Sequence, residues 1–301
     1  METYLIVNAD EFGLTEGVND AIIDCHRNGI VTSTTLMTNA WAFEDAVSHA
    51  QRNPSLGIGV HINLTFGSPV ARTDSVSSLV GPDGKFLPRS LLLKQWLRGG
   101  LRVSHVETEI RAQLQKTLDA GIEPTHIDSH QNTMMIPTIF KVFLKVAEET
   151  RMPVRLPYEP PNFDGFSSIL HGFVTWRHAK KRFTSALCRR GRPSLRIAGV
   201  RTINRVYSLP SCFMPPSLSV VGRYEALMRH VRPGICEMLT HPGSADDRLA
   251  GFLGGSIQRA RQREEERAAL VSERLKEVVH KQSIRLINYK GLEQWPKLAE
   301  N

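Results

Sequence analysis

The chain has 301 residues, 41% hydrophobic and 23% charged, the balance of a water-soluble globular protein able to bury a large core. No apolar run approaches the roughly 20 residues that span a bilayer, and the N-terminus enters a strand with no basic-then-apolar leader, so a cytoplasmic protein is expected. The net charge of +8 is local: ten Lys and Arg and no acid lie between Trp176 and Arg205, and the bases outside that stretch number fewer than the 30 acids.

In chain order, Tyr4 to Val7 reads as a buried strand that runs into the adjacent carboxylates Asp10 and Glu11, with Gly13 closing the turn. Glu16 to Asn28 reads as a helix stopped by Gly29, Val31 to Met37 as a β-branched strand, Phe43 to Arg52 as a helix and Leu56 to Leu64 as a strand. Val106 to Ala120 places Ile110, Leu114 and Leu118 at helical spacing. Strand Thr125 to Ser129, helix Ile136 to Glu149 and strand Val154 to Leu156 follow. Later come strand Ile235 to Leu239, a long charged helix from Gln258 to Val279 and a last strand, Ser283 to Asn288. Repeated strand-helix alternation predicts a parallel sheet wrapped by helices. With about seven units the pattern fits one α/β domain over 1–301, a closed or nearly closed TIM-like barrel. Thr65 to Arg89 and Pro157 to Pro216 read as long loops on its rim, the second (about 160–215) carrying the bases. Cys25, Cys188, Cys212 and Cys236 form no CxxC pair, which excludes a thiolate zinc knuckle and gives no disulfide framework.

Several strand ends carry chemistry on one face. Alternation puts His61, Asn63 and Thr65 together after one strand and His126, Asp128 and His130 together after another, while His241 follows a third ahead of Pro242 and Gly243. A strand-end acid can cap a helix and a lone histidine is commonly structural. Two histidine strands and a carboxylate strand ending on one side suit a divalent ion instead: zinc first, with magnesium, manganese, cobalt or nickel as alternatives. Such an ion acidifies water and polarises a carbonyl, the requirements of amide or ester hydrolysis.

Asn8-Ala-Asp-Glu-Phe-Gly13, Gly29-Ile-Val-Thr-Ser-Thr-Thr35, Gly59-Val-His-Ile-Asn-Leu-Thr65, Thr125-His-Ile-Asp-Ser-His130 and Thr240-His-Pro-Gly243 occur in this order along nearly the whole chain. Together they resemble the YdjC/ChbG-like carbohydrate deacetylases. The resemblance implies a deformed, seven-stranded (β/α) barrel and metal-dependent removal of an N-acetyl group from an amino sugar, with release of acetate. It implies Glu11, His61 and His130 as metal ligands, Asp10 as base and His241 as acid. Asn63, His126, Asp128 and Arg155 would orient the ligands or hold substrate, and Arg155 serves equally well as a structural partner of Asp10. The family's usual acid pair is Asp-Asp, so Glu11 departs from it by a methylene, and Gln131-Asn132 stands where further histidines are usual.

The basic stretch begins with Trp176, Ala179, Phe183 and Leu187 at helical spacing, which suits either packing on the barrel or contact with an anionic membrane at its inner face. Val154-Arg-Leu-Pro-Tyr-Glu-Pro-Pro161 and Ala198-Gly-Val-Arg-Thr202 resemble the hopanoid-associated branch of the family, which implies a lipid-linked sugar. Nothing in the sequence supports nucleic-acid binding, and the oligomeric state is open. The rival reading is a non-catalytic sugar- or lipid-binding barrel that keeps the metal pocket.

Overall fold

The first strand of the chain lies at the centre of the sheet, because strands from both ends of the sequence pair with it. The computed structural model describes residues 2–158, 176–209 and 218–294, with backbone alone for 176–183 and 293–294. Strand β1 (Thr3–Phe12) pairs along one edge with β6 (Gly234–Thr240), from Thr3 opposite Gly234 to Ala9 opposite Thr240. Along its other edge, Thr3 to Leu5 meet β7 (Ile284–Leu286) and the residues from Asn8 onward meet β2 (Ser33–Leu36). Strands β3 (Gly57–Ile62) and β4 (Ile127–Ser129) continue beyond β2, and β5 (Arg205–Ser208) lies beyond β6, giving the parallel order β4-β3-β2-β1-β6-β5. Single bridges from Val154 to Ile127 and to Thr202 link the two edges, so the sheet curls into the expected deformed (β/α) barrel.

Helices α1 (Glu16–Arg27), α2 (Phe43–Gln51), α3 (Arg89–Leu97), α4 (Val103–Asp119) and α5 (Pro137–Thr150) cover the first half. Helices α6 (Trp176–Ile197), α7 (Val220–Met228), α8 (Asp247–Phe252), α9 (Ile257–Leu270) and α10 (Glu273–Lys281) cover the second. Three expectations are corrected. The single helix from Gln258 to Val279 is two, because the Ser272 side chain accepts from Leu275 N and starts a new helix. Val154 to Leu156 makes isolated bridges only, not a strand. The loop from Pro157 to Pro216 contains α6 and β5.

The apolar stripe of α6 through Trp176 and Phe183 lies outside the described side chains, as do Glu159 to Pro161 and Cys212. Further along α6, Cys188 and Leu195 are buried against the β3–β4 core while Arg189, Arg190 and Arg196 are exposed. The C-terminal part of the basic helix is therefore packed on one face and solvated on the other.

Strand alternation sorts the side chains. On β1, Leu5, Val7 and Ala9 face outward and pack beneath the helices with Cys236 and Met238. Tyr4 and Ile6 face inward and close the barrel base with Ile203, Val206, Ile235, Tyr289 and Leu292. Each fully buried side chain of this size contributes about 1.5–3 kcal/mol. The next two inward positions on the same strand are Asn8 and Asp10, so the interior turns from apolar to polar toward the C-terminal mouth.

Candidate active site

The mouth of the barrel is built where strand ends release their polar residues. Asp10 is buried, and the Arg155 guanidinium grips it with both arms, Nη1 on Oδ1 at 2.6 Å and Nη2 on Oδ2 at 2.7 Å. Asn8 and Thr35 also donate to Asp10 Oδ1, at 2.8 and 3.2 Å. Burial would raise the Asp10 carboxyl pKa, but the Arg155 charge, with His61 and His241 nearby, outweighs it and holds the group well below the ordinary range. Arg155 is thus a partner of Asp10, and it also pairs with Asp128 and, at 2.9 Å, with Glu237 Oε1.

Glu11 sits at a register shift between β1 and β2, with a left-handed backbone (φ 72°) rare for a side chain of its size. That twist turns it away from Asp10. Its Oε2 accepts from Arg263 Nη1 at 2.6 Å, and its Oε1 lies 3.5 Å from His130 Nδ1. Burial works to raise this carboxyl too, but Arg263, His241 and His130 bring it down to about 2.

His61 and His130 approach edge to face, with ring centroids 5.4 Å apart. His61 Nδ1 is 2.7 Å from Asp128 Oδ1 and 3.2 Å from Thr35 Oγ1, and its Nε2 lies 4.0 Å from Asp10 Oδ2. Burial would lower the His61 pKa, yet Asp128 and Asp10 raise it. Burial does lower His130, to about 4, and its buried Nε2 has no hydrogen-bond partner. Directly after it, Gln131 and Asn132 both adopt left-handed backbone (φ 54° and 55°), a second concentration of strain at the mouth.

The remaining expected residues take distinct places. His126 lies deeper, stacked on Tyr289 at 3.6 Å, with Nδ1 2.9 Å from Thr125 Oγ1. A Cβ at Gly59 would fall 2.4 Å from its Cε1, so glycine there makes room for the ring. His126 therefore packs within the barrel interior, against Tyr289 and Thr125. Asn63 is buried and both ends of its amide serve the loop: Oδ1 accepts from Thr65 N and Phe66 N, and Nδ2 donates to Asn39 Oδ1 and Phe66 O. It shapes the rim and has no donor left for substrate. His241 is half-buried at the mouth, its backbone N–H donating to Glu266 at 2.6 Å.

Sequence reasoning missed Arg263, Glu237 and Tyr289. Glu237 had a signal: it is the single acid of an apolar strand and shares the inward parity of His241. It accepts from the Tyr289 hydroxyl, and burial pushes its carboxyl up to about 7. Arg263 on the charged α9 and Tyr289 near the chain's end gave none.

The donors fit a divalent ion. His130 has a buried, unpartnered nitrogen beside a carboxylate, and Asp10, His61 and Asp128 offer ligand atoms within 4.8 Å of one another. Asp128 is already engaged by His61 and Arg155, which suits a residue fixing the imidazole rather than binding the ion.

This chain is similar to known proteins over most of its length. A carbohydrate deacetylase of Brevibacillus brevis is 34% identical over 96% of this chain and 99% of its own length. A chitooligosaccharide deacetylase of Salmonella typhi is 34% identical over 81% of this chain and 98% of its own. A crystal structure of an Enterococcus faecalis V583 protein, named for cellobiose-phosphate cleavage, superposes with a TM-score of 0.73 at 26% identity, over 97% of this chain and 99% of that one. The family model for YdjC-like protein matches residues 4–281. With the family model spanning residues 4–281 and a relative matched over nearly its whole length, this chain belongs to the YdjC-like family.

Proposed function

We propose that the protein is a metal-dependent N-deacetylase of amino sugars. The observation that carries this reading is the convergence of Asp10, Glu11, His61 and His130 at one mouth, with His130 Nε2 left unpartnered. The names of the relatives, carbohydrate deacetylase and chitooligosaccharide deacetylase, support the substrate class.

Glu11, His61 and His130 would hold the ion, zinc by the chemistry of imidazole and carboxylate donors. When bound, it supplies acidified water and an electrophile for a carbonyl oxygen. Asp10 accepts the proton of the water that attacks the acetamide carbonyl. Arg155 keeps Asp10 aimed, and because Asp128 and Glu237 also face Arg155, protonating Asp10 does not strand a buried cation. His241 gives a proton to the departing nitrogen. Acetate and a free amino sugar result.

The basic stretch supports a finer proposal, a lipid-linked substrate met at an anionic membrane surface. Among the described residues no helix is long and apolar enough to cross a membrane. Co-sedimentation with anionic liposomes should fall when Lys180, Lys181 and Arg182 are neutralised, and insensitivity to those changes removes the proposal.

The test of the main reading is acetate release from N-acetylglucosaminyl substrates, with divalent metal supplied and then chelated. Release that follows the metal supports it, and no release with any divalent ion across a broad panel overturns it. The pairing of both acids with arginines favours the non-catalytic rival, whose signature is sugar binding without acetate.

A further inference from the structure

An aromatic ladder leads from the candidate site to solvent. Phe252, at the end of α8, lies 5.7 Å from the His130 ring. Phe66, after β3, meets Phe252 at 4.8 Å and 89°. Trp41, between β2 and α2, meets Phe66 at 5.0 Å and 84°. Trp41 and Phe66 come from loops after β2 and β3, Phe252 comes from the helix after β6, and all three share the mouth with His130, which follows β4.

The ladder is rigid and wet at its outer end. The amides of Asn63 and Asn39 bind the Phe66 carbonyl at 2.7 and 2.9 Å, and Asn39 also binds the Ser68 carbonyl at 2.8 Å. Gly67, between them, takes the left-handed turn (φ 72°) that this path requires. Trp41 is 51% exposed, whereas ordinary packing would hide a ring of this size. A flat apolar surface fixed in place, beside exposed Ser68 and half-buried Asn39, matches a pyranose, with one C–H face and a rim of hydroxyls.

We propose that Trp41, seated on Phe66 and Phe252, is a binding site for a second sugar ring, the one linked to the residue that is deacetylated. This rests on the deacetylase reading for the identity of the reacting residue. The site makes the protein a reader of oligosaccharide length.

The experiment compares wild type, Trp41→Ala and Trp41→Phe on N-acetylglucosamine and on its β-1,4-linked disaccharide. For Trp41→Ala the disaccharide-to-monosaccharide ratio of kcat/KM should fall about tenfold through KM, and Trp41→Phe should recover much of it. Titration of intrinsic fluorescence with the disaccharide should give a signal in wild type that Trp41→Phe lacks. An unchanged ratio, or an equal KM rise for both substrates, overturns the proposal. So does an octyl glycoside whose KM depends on Trp41 when that of the disaccharide does not. Acetate release without Trp41 dependence sinks this inference alone. Trp41-dependent disaccharide binding without acetate sinks the deacetylase reading and leaves this site standing.

Discussion

The inner and outer parts of the mouth are built on different principles. The inner part hangs on strands: Asp10, His61, Asp128 and Glu237 project from parallel β-positions and meet around Arg155. The outer part leaves the regular sheet: Glu11, at the irregular end of β1, turns outward on a left-handed backbone to reach Arg263 and His130, and Phe252, Phe66 and Trp41, on a helix and two loops, continue to solvent. In the inner part three acids share one cation in a dry interior. In the outer part Glu11, His130 and Arg263 are still buried, and exposure begins at the rings, with Phe66 and Phe252 half-buried and Trp41 exposed. The strand-borne groups lock one another in place, whereas the rings on the rim are freer to vary.

The sharpest way to break this division is at its centre. Asp10→Asn should lower acetate release by about 10²–10⁴-fold while divalent metal stays bound, as seen by steady-state kinetics and metal analysis. Lost metal with little lost turnover would make Asp10 a ligand and Glu11 the base.

Next in size is the buried acid beneath it. Glu237 keeps its proton in the folded chain up to about pH 7, against 4.5 for an ordinary glutamate. Between those values the folded state binds the extra proton, so this group's contribution to stability is lost as pH rises through that window. The loss is at most about 3 kcal/mol. Urea unfolding at pH 5 and pH 7.5 should show a smaller drop in Glu237→Gln than in wild type. An equal drop would mean that Glu237 is ionised throughout.

Gly59→Ala tests the packing under the histidines. A Cβ 2.4 Å from His126 Cε1 forces the ring off Tyr289 and should cost about 2 kcal/mol in denaturant unfolding. The smallest effect is expected on the outer side. Arg263→Met frees Glu11 from its cation, and divalent affinity measured by calorimetry should rise about tenfold. A fall would show that Arg263 orients Glu11 more than it competes for it.

Much of the inner part was legible. A period-two pattern places His61 with Asn63, and His126 with Asp128 and His130, and parallel strands bring such faces to one end. The outer part was not, because nothing local reports it. The salt bridge from Glu11 to Arg263 spans 252 positions. Arg263 stands among many charges on α9, and only tertiary packing shows which of them is buried. The turn at Glu11 was equally hidden, since glutamate carries no preference for a left-handed backbone. Asn63 shows the limit of face reading: its strand parity is right, but two residues later the loop claims its amide.

The central place of β1 bears on how the chain acquires its fold. Thr3 to Ala9 pair with Gly234 to Thr240, and Thr3 to Leu5 with Ile284 to Leu286, so this segment waits for partners made far later. Contacts this distant in sequence must close very large loops, which slows folding and leaves a hydrophobic strand with open edges meanwhile. On a translating ribosome β1 can pair early only with β2. Its other edge stays available to chaperones, or to a neighbouring chain, until β6 emerges.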